Sequence, residues 1–216
     1  KTLVVRGTPE EVTLKVSVYV IVLLFSVFTI VHLYGFESPT VAPVLTVAVT
    51  LQPYAKMLSR LGKDRIEIVV LVPEGSDPHT FEPKPGTLKD FSKAEIYFTD
   101  SSGLDKNWLP RFKGVNSKVK ILALDSGIQF ESLDDHHHES EALDPHLWVS
   151  LKNVQIILKN MLAVLTQYDP QGKNFYLENF NTYMEELVSL SDSIESLSKK
   201  LPEEKKTFMV FHPSFG

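Results

Sequence analysis

From residue 44 to residue 124 the chain alternates between two periods. Short runs rich in β-branched residues occupy 44–49, 66–72, 96–99 and 119–124, and each reads as a strand. Between them, 52–61 places Tyr54, Ala55, Leu58 and Leu61 on one helical face, with Gly62 expected as the C-cap. Thr87-Leu88-Lys89-Asp90 has the form of a capping box and is expected to open a short helix through Phe91. Strands that alternate with helices cannot be joined by hairpins. The pattern predicts an α/β fold built on a mainly parallel sheet.

After the fourth strand the periodicity becomes helical. Residues 149–167 read as a helix that ends before Asp169-Pro170. Residues 172–200 form a long amphipathic segment, with Phe175, Phe180, Tyr183, Leu187, Leu190, Ile194 and Leu197 along one stripe and Glu178, Glu185, Asp192 and Glu195 off it. The stripe is too irregular for a sustained heptad seam, so the segment is expected to pack along its own protein. Residues 207–211 are a further strand candidate.

The net charge of −5 argues against a basic surface for nucleic acid. The chain contains no cysteine, which excludes disulfides, thiolate zinc sites, a cysteine nucleophile and a lipid-modified cysteine within it. Near the start, Lys15 precedes residues 16–31, an apolar stretch with no charge before Glu37. A basic flank followed by an apolar run is the layout of an export signal. The run also approaches the roughly 20 residues that a membrane helix needs. Residues 1–36 are therefore expected to be an extension plus a signal or anchor, with Gly35 as a cleavage position. The protein is expected to be exported, periplasmic or at the cell surface, with membrane contact through this segment. Residues 1–14 are set aside from the fold.

The chemistry is concentrated in histidines beside prolines. Asp77-Pro78-His79 and Asp144-Pro145-His146 repeat one tripeptide, and His212-Pro213 is a third pair. Imidazole is a good zinc ligand, and proline restricts the backbone that carries it. The bland alternative is three unrelated surface or capping histidines. Ligand sites in parallel sheets lie beyond the carboxyl ends of strands. His79 follows the second strand, His146 precedes the helix near residue 150, and His212 follows 207–211. All three loops can open onto one crevice and hold one ion. His136, His137 and His138 sit in an acidic loop at 133–143, expected to be a solvated linker that holds metal weakly and transiently.

Three segments carry a resemblance: Leu71-Val72-Pro73-Glu74-Gly75-Ser76-Asp77-Pro78-His79-Thr80-Phe81-Glu82-Pro83, then Asp144-Pro145-His146-Leu147-Trp148, then Phe211-His212-Pro213-Ser214-Phe215-Gly216. In this order they resemble the metal-binding receptors of bacterial and archaeal ABC importers, the cluster A-I solute-binding family. The resemblance runs from about residue 44 to the end. It implies an α/β metal-binding lobe at 44–168, a connecting helix at 172–200 and the start of a second α/β lobe at 205–216. It also implies that His79, His146 and His212 hold a metal destined for an ABC transporter permease. The family's fourth ligand, a carboxylate of the second lobe, has no counterpart in these 216 residues, and neither does its lipid-attachment cysteine. The chain is therefore expected to be truncated.

Three neutral nitrogens suit Zn²⁺, and Mn²⁺ or Fe²⁺ is the alternative cargo. Manganese relatives tend to place a carboxylate where this chain has His212. Three histidines and a water is also the layout of a zinc hydrolase. The sequence lacks a His-Glu-x-x-His motif and marks out no general base, so an enzyme is not expected. A surface adhesin is a third reading, carried by the resemblance alone.

Overall fold

The computed structural model describes residues 45–77, 80–100, 106, 108–130, 144–202, 205 and 209. The apolar run at 16–31 and, apart from Met209, the strand expected at 207–211 lie outside these residues. All described residues belong to one unit, residues 41–216. Its frame is a four-stranded sheet in the order β2-β1-β3-β4: β1 Leu45–Val49, β2 Ile66–Val70, β3 Ile96–Thr99 and β4 Lys120–Ala123. Every pairing is parallel, with Val47 opposite Ile68 on one side and Ile96 on the other.

The central strands β1 and β3 read as nearly continuous apolar runs because the sheet is covered on both faces there. Val47, Val49, Ile96 and Phe98 point to one face, against α1 (Gln52–Gly62) and the cluster around Ile157, Leu158 and Met161 of α4 (Leu151–Tyr168). Ala48, Val69 and Tyr97 point to the other, against Phe91 of α2 (Pro85–Phe91) and Phe112 of α3 (Leu109–Val115). The rings of Phe91, Tyr97 and Phe112 lie 4.6–5.6 Å apart and fill this second layer. The α/β expectation holds, and the parallel-sheet lobe leads into a long helix, α5 (Lys173–Lys200).

Local chemistry differs from expectation at two helix ends. α2 starts at Pro85, two residues before Thr87, and its N-cap Lys84 makes no side-chain cap bond. Proline at the first turn sets the start, because it fixes φ and its missing N–H is an orphan there in any case. The Thr87–Asp90 capping box therefore does not form. At the end of α1, Gly62 is still right-handed at φ −94°, and the positive φ of 42° falls on Lys63. Gly62 is needed for space: a Cβ there would run into the Ile66 side chain. α3 was not foreseen. It has seven residues, with Pro110 in its first turn and Gly114 near its end, which is too short for a periodicity signal.

Candidate metal centre

The carboxyl edge of the sheet is polar and buried. After β1 the chain crosses to β2 on one side, and after β3 it crosses to β4 on the other, so the strand order reverses between β1 and β3. Such a switch point is where parallel sheets open a crevice. Thr50 and Asp100 are the residues that leave β1 and β3 there, and both are buried. The hydroxyls of Thr50 and Tyr97 are 2.9 Å apart. Tyr54, in the first turn of α1, donates its hydroxyl to Asp100 Oδ2 at 3.0 Å.

His146 is tied to this edge through aromatic rings. Its neighbour Leu147 is buried in the core, and Trp148 packs edge-on against Tyr54 at 5.8 Å and 89°. The His146 ring lies 5.4 Å from the Trp148 ring at 69°. Asp144 Oδ1 accepts the His146 backbone N–H at 2.9 Å and stands 2.7 Å from Nδ1 of the same residue. Ser150 then caps α4, its Oγ accepting the Asn153 N–H at 3.4 Å. A polar hollow of about 270 Å³ opens beside His146, bordered by Gln129, Asp144, Ser150, Lys152 and Asn153.

His146 is the one motif histidine among the described residues; His79, His212, His136, His137 and His138 lie outside them. The flanks of His79 are ordered by local bonds. Thr80 Oγ1 donates to Asp77 Oδ2 at 3.2 Å, and Phe81 packs edge-on against Trp108 at 5.7 Å. Among the described residues no three His, Cys, Asp or Glu side chains cluster as a metal site. A larger hollow of about 1000 Å³ along α5, lined by Met184, Val188 and Leu197, is an open groove remote from His146 in sequence and bordered by no histidine.

The family described as zinc-uptake complex component A (ZnuA), periplasmic, matches residues 47–216. The chain belongs to this family. The manganese-binding lipoprotein MntA of Halalkalibacterium halodurans is 29% identical over 154 residues, covering 71% of this chain and 50% of that protein. The high-affinity zinc uptake system protein ZnuA of Bacillus subtilis is 28% identical over 184 residues, covering 80% of this chain and 56% of that protein. A crystal structure of a ZnuA deletion mutant with zinc bound gives a TM-score of 0.72 at 30% identity, over 79% of this chain and 64% of that one. The chain thus spans about half to two thirds of the proteins it matches. The family is described by an uptake component rather than an enzyme, and its members are named for manganese as well as zinc.

Within this ZnuA-family chain, residues passed over by the sequence reading frame His146. Asp144 was visible in the Asp-Pro-His motif, but only the histidine was singled out. Tyr54, Asp100 and the ring of Trp148 needed the fold to bring them together. The attachment of α5 was also invisible. Asn179 donates to the Leu61 carbonyl at 2.9 Å, and Arg60 reaches both Glu186 oxygens at 2.6 Å with its guanidinium 4.0 Å over the Tyr183 ring. The hydrogen bond from Arg60 to Glu186 raises the arginine pKa.

At the base of α5 a buried node forms around Asp169. Its Oδ2 accepts from Arg65 Nε and Nη2 at 2.9 and 2.6 Å and from the Tyr176 hydroxyl at 2.7 Å. Burial pushes the Asp169 carboxyl up, but the bonds from Tyr176 and Arg65, the arginine charge and the Gly172 N–H outweigh it and hold the pKa below its ordinary value. Burial, and then the bond to Asp169, push the Tyr176 hydroxyl up to about 12. Gly172 is obligatory by crowding, since a Cβ there would meet Asp169, Tyr176 and Arg65.

Proposed function

We propose that this chain is the metal-capturing part of an extracytoplasmic receptor that binds zinc and delivers it to an ABC transporter permease. The observation that carries this is His146: it is held by Asp144 and Trp148 and linked through Tyr54 to Asp100 at the carboxyl edge of a parallel sheet, in a chain whose match to the zinc-uptake family runs over residues 47–216. His79, His146 and His212 are the ligands in this reading. Their nitrogens favour zinc by the ordinary affinity order. Manganese is the second reading, favoured by the manganese-binding relative of H. halodurans. The protein does not catalyse a reaction in either case. It captures and releases its cargo.

The domain plan is part of the same proposal. Residues 44–168 form the metal-binding lobe, 172–200 the connecting helix, and 205–216 the opening of a second lobe. Residues 16–31 carry the export signal or anchor. His136, His137 and His138 hold metal loosely and exchange it quickly. Fractionation of cells that express the chain tests export, and uncleaved soluble cytoplasmic protein refutes it.

Competition titrations of zinc and manganese against a chelator test the ligand set. His79→Ala, His146→Ala and His212→Ala should each weaken zinc binding well beyond a change at a surface histidine. Removing the 136–138 run should reduce zinc uptake only at high metal. A triple variant of His79, His146 and His212 that retains tight stoichiometric binding overturns the assignment. Manganese bound more tightly than zinc overturns the choice of cargo and leaves the receptor.

A further inference from the structure

We propose that Asp144 is a positioning residue that fixes the tautomer of His146, so that Nε2 is the nitrogen that meets the metal. The proposal rests on the reading of His146 as a ligand and adds which atom binds and what sets it. Asp144 Oδ1 lies 2.7 Å from Nδ1, and a carboxylate oxygen has only acceptor positions there. Nδ1 must therefore carry the proton, and the lone pair of the neutral ring is on Nε2.

The carboxylate is itself anchored. The same Oδ1 accepts the His146 backbone N–H at 2.9 Å. The residue between them is Pro145, which has no N–H to compete, so the amide of His146 is the next donor along the chain. One oxygen thus grips both the backbone and the ring of one residue. Both side chains are nearly enclosed, with 13% and 12% of their surface exposed, which limits exchange with water.

The plane of the ring is set from another direction. Trp148 stands against it at 69°, Tyr54 stands against Trp148 at 89°, and the Tyr54 hydroxyl is held by Asp100 beyond β3. Asp144 therefore chooses the nitrogen, and the aromatic pair aims the ring. A carboxylate on the far nitrogen also makes the coordinating one more basic, and loss of such a partner costs 10–100-fold in metal affinity.

The test uses the full chain labelled with ¹⁵N-histidine. Long-range ¹H–¹⁵N correlation of the metal-free protein, with His146 assigned by its loss in His146→Ala, should show a protonated Nδ1 and an unprotonated Nε2. Asp144→Asn should keep this pattern, because its amide oxygen still accepts. Asp144→Ala should lose it, and its zinc affinity in chelator competition should fall by about 10–100-fold. Asp144→Asn should lie between Asp144→Ala and the parent chain. A protonated Nε2 in the parent chain overturns the inference and leaves the ligand reading intact. Parent-like affinity in Asp144→Ala also overturns it. Parent-like affinity in His146→Ala overturns the ligand reading itself, whatever the tautomer.

Discussion

Replacing Asp169 by alanine should loosen α5 from the sheet lobe. Its carboxylate accepts three bonds on Oδ2 and one on Oδ1, the last from the Gly172 N–H at 3.2 Å. Bonds to a charged group contribute about 1.5–3 kcal/mol each. Arg65 is 26% exposed and can recover water, so its share falls at the low end. Tyr176 is fully buried, and its hydroxyl would be stranded without water. Counting Arg65 and Tyr176 as one partner each, at about 1.5–2 kcal/mol, gives about 3–4 kcal/mol, within the roughly 3–5 kcal/mol for breaking a buried pair. Urea unfolding at neutral pH should show this loss for Asp169→Ala and about half of it for Asp169→Asn, which keeps an acceptor for Tyr176. The pH dependence has a fixed sign. The folded pKa of Asp169 lies below its usual 3.8, so its contribution is present above that value and is lost as pH falls through the lower folded value. The gap between the parent chain and Asp169→Ala should therefore close only below about pH 4. A loss under about 1 kcal/mol at neutral pH, or a gap that persists in acid, would show that the node does not hold the helix.

Tyr176 supplies the alkaline counterpart. Its folded pKa is raised from 10.0 to about 12, so its contribution is complete below 10 and is lost as pH rises toward 12. The parent chain should lose stability across that window by more than Tyr176→Phe does, as followed by denaturant midpoints. Gly62→Ala should destabilise by about 1–3 kcal/mol through collision with Ile66, and thermal melts should show partial recovery on adding Ile66→Val. Asn116 donates to the carbonyls of Phe91, Ser92 and Ala94 and accepts from the amides of Lys118 and Val119. Asn116→Ala should cost about 1–3 kcal/mol in the same melts by stripping partners from that turn.

What the sequence revealed depended on how local the cause was. The central strands were legible because burial on both faces demands apolar residues at consecutive positions, as in Ile96-Tyr97-Phe98. α4 and α5 were legible because their length lets the 3.6-residue period repeat. α2 was found but its start was misread, since Pro85 outweighed a capping box that was attractive on paper. Gly62 reads as a C-cap in the sequence, whereas its use is to admit Ile66, a contact that only the fold reveals. Asp144 and His146 are two residues apart and were within reach of the motif. Arg65 and Asp169 are 104 residues apart, and no spacing rule pairs them.

The strand order has a consequence for folding. β1 comes first of the four strands in the chain, yet it ends in the middle of the sheet with a neighbour on each side. When β2 arrives, one edge of β1 is closed and the other remains bare until β3 emerges; Thr46 and Glu95, which meet across that edge, are 49 residues apart in the chain. Closing so long a loop is an entropic cost met before the pairing gives anything back. During that interval Val47, Ala48 and Val49 present unpaired amides and apolar side chains together, a template for any other nascent strand. Until β3 docks, that edge of β1 is the part of the sheet most open to pairing with another chain.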